Sequence, residues 1–135
     1  MTPEDIDFIV RTVWGEAGNQ SPKGQRAVAA VILNRAKQSG LSPKEVVLSK
    51  NQFEPWNNPE RRAALQSLDS SSKDYQKVAQ NIVPALAGDD PTGGATHFYS
   101  PKGQKALGRE APVWDDGSGQ DIGDHRFFHG GWSGA

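Results

Sequence analysis

Glu16, in the run Trp14-Gly15-Glu16-Ala17, is a carboxylate in an awkward place. Ile6, Ile9, Val10, Val13, Trp14 and Ala17 recur at helical spacing, and Glu16 borders that apolar stripe on the side of Val13 and Ile9. It also falls in the last turn of the expected helix, where the negative end of the helix dipole disfavours a charged carboxylate. Both effects, with Trp14 close by, push its pKa up. A carboxyl that keeps its proton near neutral pH can hand it to a departing glycosidic oxygen. The plain alternative is a boundary glutamate satisfied by a neighbouring arginine.

A second group of residues suggests a different chemistry. His97, Asp124, His125 and His129 are types that ligate zinc, and His125 and His129 would share one face of a strand. At about 3.3 Å per residue, however, a spacing of four puts those two side chains roughly 13 Å apart, too far to share an ion without a bend. The reading is therefore no metal and no cofactor, with His129 exposed in a glycine-rich tail.

The elements that must position these residues follow from capping and period. Thr2-Pro3-Glu4-Asp5 predicts a helix start, and the helix should run from Pro3 to Ala17 with Gly18 stopping it. Ser21-Pro22 opens a second helix, apolar on every side from Ala27 to Leu33, which predicts the central buried helix; Gly40 ends it. Ser42-Pro43-Lys44-Glu45 is a capping box for a short helix through Leu48, and residues 51–58 read as an ordered loop. A fourth helix is expected from Pro59, with Ala63, Ala64, Leu65 and Leu68 inward. A fifth follows from Ser72, with Tyr75, Val78, Ala79, Ile82 and Leu86 inward, disturbed by Pro84 and closed by Gly88.

Beyond the turn at residues 89–94, Ala95 to Tyr99 predicts a strand ended by Pro101, and His125 to His129 a second. The excursion between them, with Trp114, Asp115 and Asp116, reads as a loop lining a cleft. The fold class is α+β, mainly helical, with a small β element formed by the C-terminal third.

Composition sets the outer bounds. A chain of 135 residues is expected to form a single domain over 1–135. Its 15 basic residues against 16 acidic ones leave no field for nucleic acid or an anionic membrane surface. With no cysteine there is no disulfide framework and no thiolate metal site. The acidic N-terminus and short apolar runs predict a soluble product made in the cytoplasm without a signal peptide, with no membrane insertion, and monomeric.

Six short segments in order resemble the SleB-type cell wall hydrolases, a family that includes spore cortex-lytic enzymes and similar domains in phages. They are 12–17 (TVWGEA) with 24–35 (GQRAVAAVILNR), 53–56 (FEPW), 90–95 (DPTGGA) with 98–101 (FYSP), and 122–127 (IGDHRF). The resemblance spans nearly the whole chain and implies a lysozyme-like fold with its essential glutamate at Glu16. It implies cleavage of peptidoglycan glycan strands between N-acetylmuramic acid and N-acetylglucosamine, by lytic transglycosylase chemistry, with Glu16 as general acid and then base. A hydrolytic muramidase would more often need a second carboxylate, at about 5 to 5.5 Å for retention or about 6.5 to 9.5 Å for inversion. Glu54, Asp115 and Asp124 are available for that role.

Phe53, Trp56, Tyr99 and Trp114 offer faces on which sugar rings could stack, or are ordinary core aromatics. Trp56 and Tyr99 lie in matching segments, and the Tyr99 hydroxyl could aim at the scissile bond. With Glu54, Phe98, Asp124 and His125 they complete the expected substrate-binding set. The rival reading is a metal-dependent wall amidase or peptidase using His97, Asp124 and His125, and a third is a wall-binding module without catalysis. No separate wall-binding module is expected, and a phage or prophage endolysin, reaching the wall by holin-type release or other delivery, is the setting these features suggest.

Overall fold

The computed structural model describes residues 1–130. Helix α1 (Pro3–Ala17) starts on a reciprocal cap: the Thr2 hydroxyl accepts from the Asp5 amide, and the Asp5 carboxylate accepts from the Thr2 amide. Helix α2 (Pro22–Ser39) is capped by Ser21, and Ala27, Val28, Ala29, Val31 and Ile32 along it are wholly buried. It runs through the centre, packed against α1, α3 (Pro43–Leu48), α6 (Lys73–Leu86) and the sheet. The Ser42–Glu45 capping box opens α3 as expected. Ile9, Val10 and Val13 of α1 close onto α2, as the helical stripe requires.

The end of α1 is secured by a side chain rather than by Gly18 alone. Buried Gln25 donates from Nε2 to the Ala17 carbonyl at 3.2 Å, and its own oxygen accepts from Asn81 of α6 at 3.0 Å. Carbonyls in a last helical turn have no partner within the helix, so Gln25 supplies one from α2.

Residues 51–58 are not purely loop: Glu54–Asn57 form a short helix, α4, because Pro55 sits comfortably in a first helical turn. Helix α5 (Pro59–Ser67) buries only Leu65; Ala63 and Ala64 are exposed, since a single face of this short surface helix meets α1. In α6 Val78, Ile82 and Ala85 are the buried residues, with Tyr75, Ala79 and Leu86 half-buried beside them, and Pro84 is accommodated in the last turn.

Strand β1 (His97–Tyr99) begins two residues later than expected. The strand ends at Tyr99 as expected, and Pro101 also opens α7 (Pro101–Ala106), with the Ser100 hydroxyl accepting from the Gly103 amide at 2.9 Å. The excursion also contains β2 (Gln120–Ile122), hairpinned to β3 (His125–Phe128), which ends before His129. The sheet is antiparallel in the order β1-β3-β2. Phe98, Ile122, His125 and Phe127 face the helices, and His97, Tyr99, Asp121, Arg126 and Phe128 face away, as the register and strand alternation dictate.

Candidate active site

Glu16 lies half-buried in the last turn of α1, at a cleft of about 340 Å³ between the helical body and the sheet. Asn19 and Gln20 of the α1–α2 connection, Ser100 and Lys102 at the start of α7, and Asp124 and His125 of the β2–β3 hairpin complete the walls. Two chain segments are locked together here. Gln20 donates from Nε2 to the Asp124 carboxylate at 3.0 Å, and its oxygen accepts from the Asp124 amide at 3.0 Å. Gly123 makes that clasp possible: its φ is +59°, and a Cβ on it would stand 2.4 Å from the Gln20 oxygen.

Burial is the main reason that the Glu16 carboxyl is pushed up from 4.5 to about 7. Arg61 and Arg35 oppose the shift, and the Glu54 carboxylate adds to it. Arg35, only 5% exposed, donates from Nε to the Thr96 carbonyl at 2.6 Å and lies over the Phe53 ring. Arg61 is a neighbour that the sequence reading did not single out. It pairs with Glu54 and donates from Nη2 to the Gly15 carbonyl at 2.9 Å. No signal in residues 59–62 sets it apart from Arg62, because only the docking of α5 on α1 decides which arginine faces Glu16.

His125 is buried against Phe98 and Phe127, and its Nδ1 is sealed from water with no hydrogen-bond partner. Burial pulls its pKa below the ordinary value, so the ring is neutral at neutral pH. An orphaned N–H costs more than an orphaned lone pair, which favours the tautomer with the proton on Nε2. The cleft therefore holds a protonatable carboxyl beside a neutral imidazole.

Glu16, Asp124 and His125 thus come together. The other expected substrate contacts divide differently. Phe98 backs His125 from within rather than facing the cleft walls. Phe53 and Trp56, 1% and 5% exposed, are core residues that present no face to a sugar, and the Trp56 indole donates to the Thr12 hydroxyl at 2.8 Å. The Tyr99 hydroxyl is not aimed at Glu16. It donates to Asp115 at 2.5 Å on the outer face of the sheet, where Trp114, 40% exposed, meets the rings of Tyr99, His97 and Phe128. Strand alternation separates Tyr99 from Phe98, and the pull of Asp115 and Arg126 holds it there.

The zinc-type constellation does not assemble. His97 and His125 lie on opposite faces of the sheet, and His129 donates from Nε2 to the Thr92 carbonyl at 3.1 Å. The Thr96 hydroxyl spends its proton on the Gly130 carbonyl, so it accepts from His97 Nδ1. Among the described residues no three His, Asp or Glu side chains are placed to hold a metal ion.

Residues 19–128 match the family described as Cell Wall Hydrolase. A spore cortex-lytic enzyme of Oceanobacillus iheyensis is 33% identical over 125 residues, 91% of this chain and 41% of that protein. One of Halalkalibacterium halodurans is 32% identical, over 91% of this chain and 34% of that protein. The chain spans about two fifths or less of the length of these curated relatives. The solved catalytic domain of the germination-specific lytic transglycosylase SleB from Bacillus anthracis superposes with a TM-score of 0.71 at 25% identity, over 94% of this chain and 95% of that one. The catalytic domain of the Bacillus cereus SleB protein matches with a TM-score of 0.69 at 25% identity, over 94% of this chain and 91% of that one.

Proposed function

Because the chain belongs to the cell wall hydrolase family, we propose that it cleaves peptidoglycan glycan strands between N-acetylmuramic acid and N-acetylglucosamine as a lytic transglycosylase. Glu16 acts as both acid and base. The observation that carries this reading is one carboxyl, held near neutrality by burial, at the cleft between helices and sheet. Protonated Glu16 gives its proton to the leaving glycosidic oxygen as the bond to muramoyl C1 breaks. The resulting carboxylate takes the proton from the C6 hydroxyl, whose oxygen attacks C1 and leaves a 1,6-anhydro end. Glu16 finishes protonated, ready for the next strand.

The state of the other carboxylates supports a one-carboxyl route. Glu54 is paired with Arg61, Asp124 with Gln20, and Asp115 with Tyr99 and Arg126, so each accepts hydrogen bonds or charge that a water-activating base would have to give up. His125 and Asp124 line the cleft as substrate contacts, the neutral imidazole donating from Nε2 to a sugar oxygen or acetamido carbonyl. The names of the relatives, a spore cortex-lytic enzyme and a lytic transglycosylase, point to the same chemistry.

Mass spectrometry of purified peptidoglycan after digestion tests this directly. Fragments with 1,6-anhydro ends are expected, and Glu16→Gln should stay folded while losing roughly 10²- to 10⁴-fold in rate. A folded Glu16→Gln that lyses sacculi at wild-type rate would sink the assignment of the acid. Reducing ends alone would mean that water, not the C6 hydroxyl, attacks.

A further inference from the structure

Arg61 reaches two elements at once. Its Nη1 pairs with the Glu54 carboxylate at the start of α4, and its Nη2 donates to the Gly15 carbonyl of α1 at 2.9 Å. That carbonyl lies in the last turn, where helix carbonyls have no partner of their own, and a guanidinium fork can serve both acceptors together. The same face of α5 carries Leu65, one turn on, pressed against Gly15. A Cβ at residue 15 would meet Leu65 Cδ2 at 2.8 Å and Pro55 at 3.4 Å. Glycine thus lets α4 and α5 close on the residue immediately before Glu16.

We propose that Arg61 is a positioning residue for the cleavage reaction: it clamps the turn of α1 that carries Glu16 to α4 and α5, and together with Glu54 it balances the charge around that carboxyl. This rests on the reading of Glu16 as the acid and base. The two members of the ion pair act on Glu16 in opposite senses, Arg61 favouring the carboxylate and Glu54 the acid. The remaining charged or titratable neighbours come from other elements. Arg35 faces it from α2, and Lys102, Asp124 and His125 line the same cleft from α7 and the hairpin. The groups on α3 and α6, Lys44 and Tyr75, bond Glu4 and Asp7 near the other end of α1.

A clamp that only held the fold together would respond alike to loss of either partner. The charge balance responds in opposite directions. Arg61→Ala should move the alkaline limb of the pH–rate profile for sacculus lysis upward by about half a pH unit, and Glu54→Gln should move it downward by a similar amount. Carbon-13 carboxyl titration of Glu16 by NMR should report the same opposed shifts without relying on turnover, and kcat should fall in Arg61→Ala more than KM rises. Limbs and titrations that stay put, or that move together, overturn the proposal. Should Arg61→Ala fail to fold, Glu54→Gln decides alone, a downward shift supporting the proposal and no shift overturning it. Glu16→Gln run alongside separates the two levels: an active Glu16→Gln removes the acid itself, whereas an inactive one with unmoved limbs removes only Arg61's role.

Discussion

A carboxyl that titrates near pH 7 changes both what the protein does and how stable it is. Glu16 is driven there mainly by burial, with Glu54 adding and Arg61 and Arg35 subtracting. In the proposed reaction the protonated form is the acid, so lysis is expected to fall on the alkaline side with an apparent pKa of about 7, measurable as kcat/KM against pH. Stability should carry the same signature. Between pH 4.5 and about 7 the folded chain holds a proton that the unfolded chain releases, so the folded state loses stability as pH rises through that window. Glu16→Gln removes the ionisation. Its advantage over wild type in denaturant unfolding should grow across this range to at most about 3 kcal/mol and then level off. A stability difference that is flat with pH would mean that Glu16 ionises freely in the folded state.

The elements matter through where they end and how closely they approach. The last turn of α1 is held by Gln25 on one side and by Arg61 and Leu65 on the other, and Gly15 leaves the space that Leu65 and Pro55 occupy. Gly15→Ala is expected to displace Leu65, costing about 1 to 3 kcal/mol by overpacking and lowering kcat because Glu16 moves with its turn. Thermal unfolding and turnover measured together would check both effects. On the sheet side, strand alternation assigns His125 to the cleft and Tyr99 to the outer face, so neighbouring sequence positions take unrelated jobs.

At the scale of the whole molecule, the described residues form a lysozyme-like body: seven helices with α2 buried at the centre, and a three-stranded sheet closing one side of the cleft. No described helix is long and apolar enough to cross a membrane. A net charge of −1 offers little long-range attraction to an anionic polymer. His97, His125 and His129 are dispersed among separate partners, and lysis of sacculi is accordingly expected to be unchanged after exhaustive treatment with a chelator. A chelator-sensitive rate restored by zinc would revive the amidase or peptidase reading.

Much of this was legible from residues 1–48, where caps and helical period are local properties and α1, α2 and α3 fall at their expected bounds. Glu16 itself was legible because a charge bordering an apolar stripe is a conflict visible in one dimension, and the ordered segments pointed to the family. The direction of its pKa shift was legible with it, but the charges that tune the shift were not, since Arg35, Glu54 and Arg61 are brought against it by α2, α4 and α5. Strand β2 escaped because it is held by pairing with β3 rather than by a pattern of its own, whereas α7 opens on the same local Ser-Pro cap as α2 and α3, a signal that the strand reading passed over. Phe53 and Trp56 read equally well as sugar platforms or core, and only packing made them core. Arg61 and Arg62 are alike in the chain, and the docking of α5 on Gly15 selected the one that bonds the carbonyl beside Glu16. Sequence alone thus determined the helical frame and the family and marked out Glu16 as a carboxylate in conflict with its stripe, because those rest on local pattern. Tertiary structure decided the surroundings of Glu16, because burial and charge pairing are properties of residues that meet only when the chain folds.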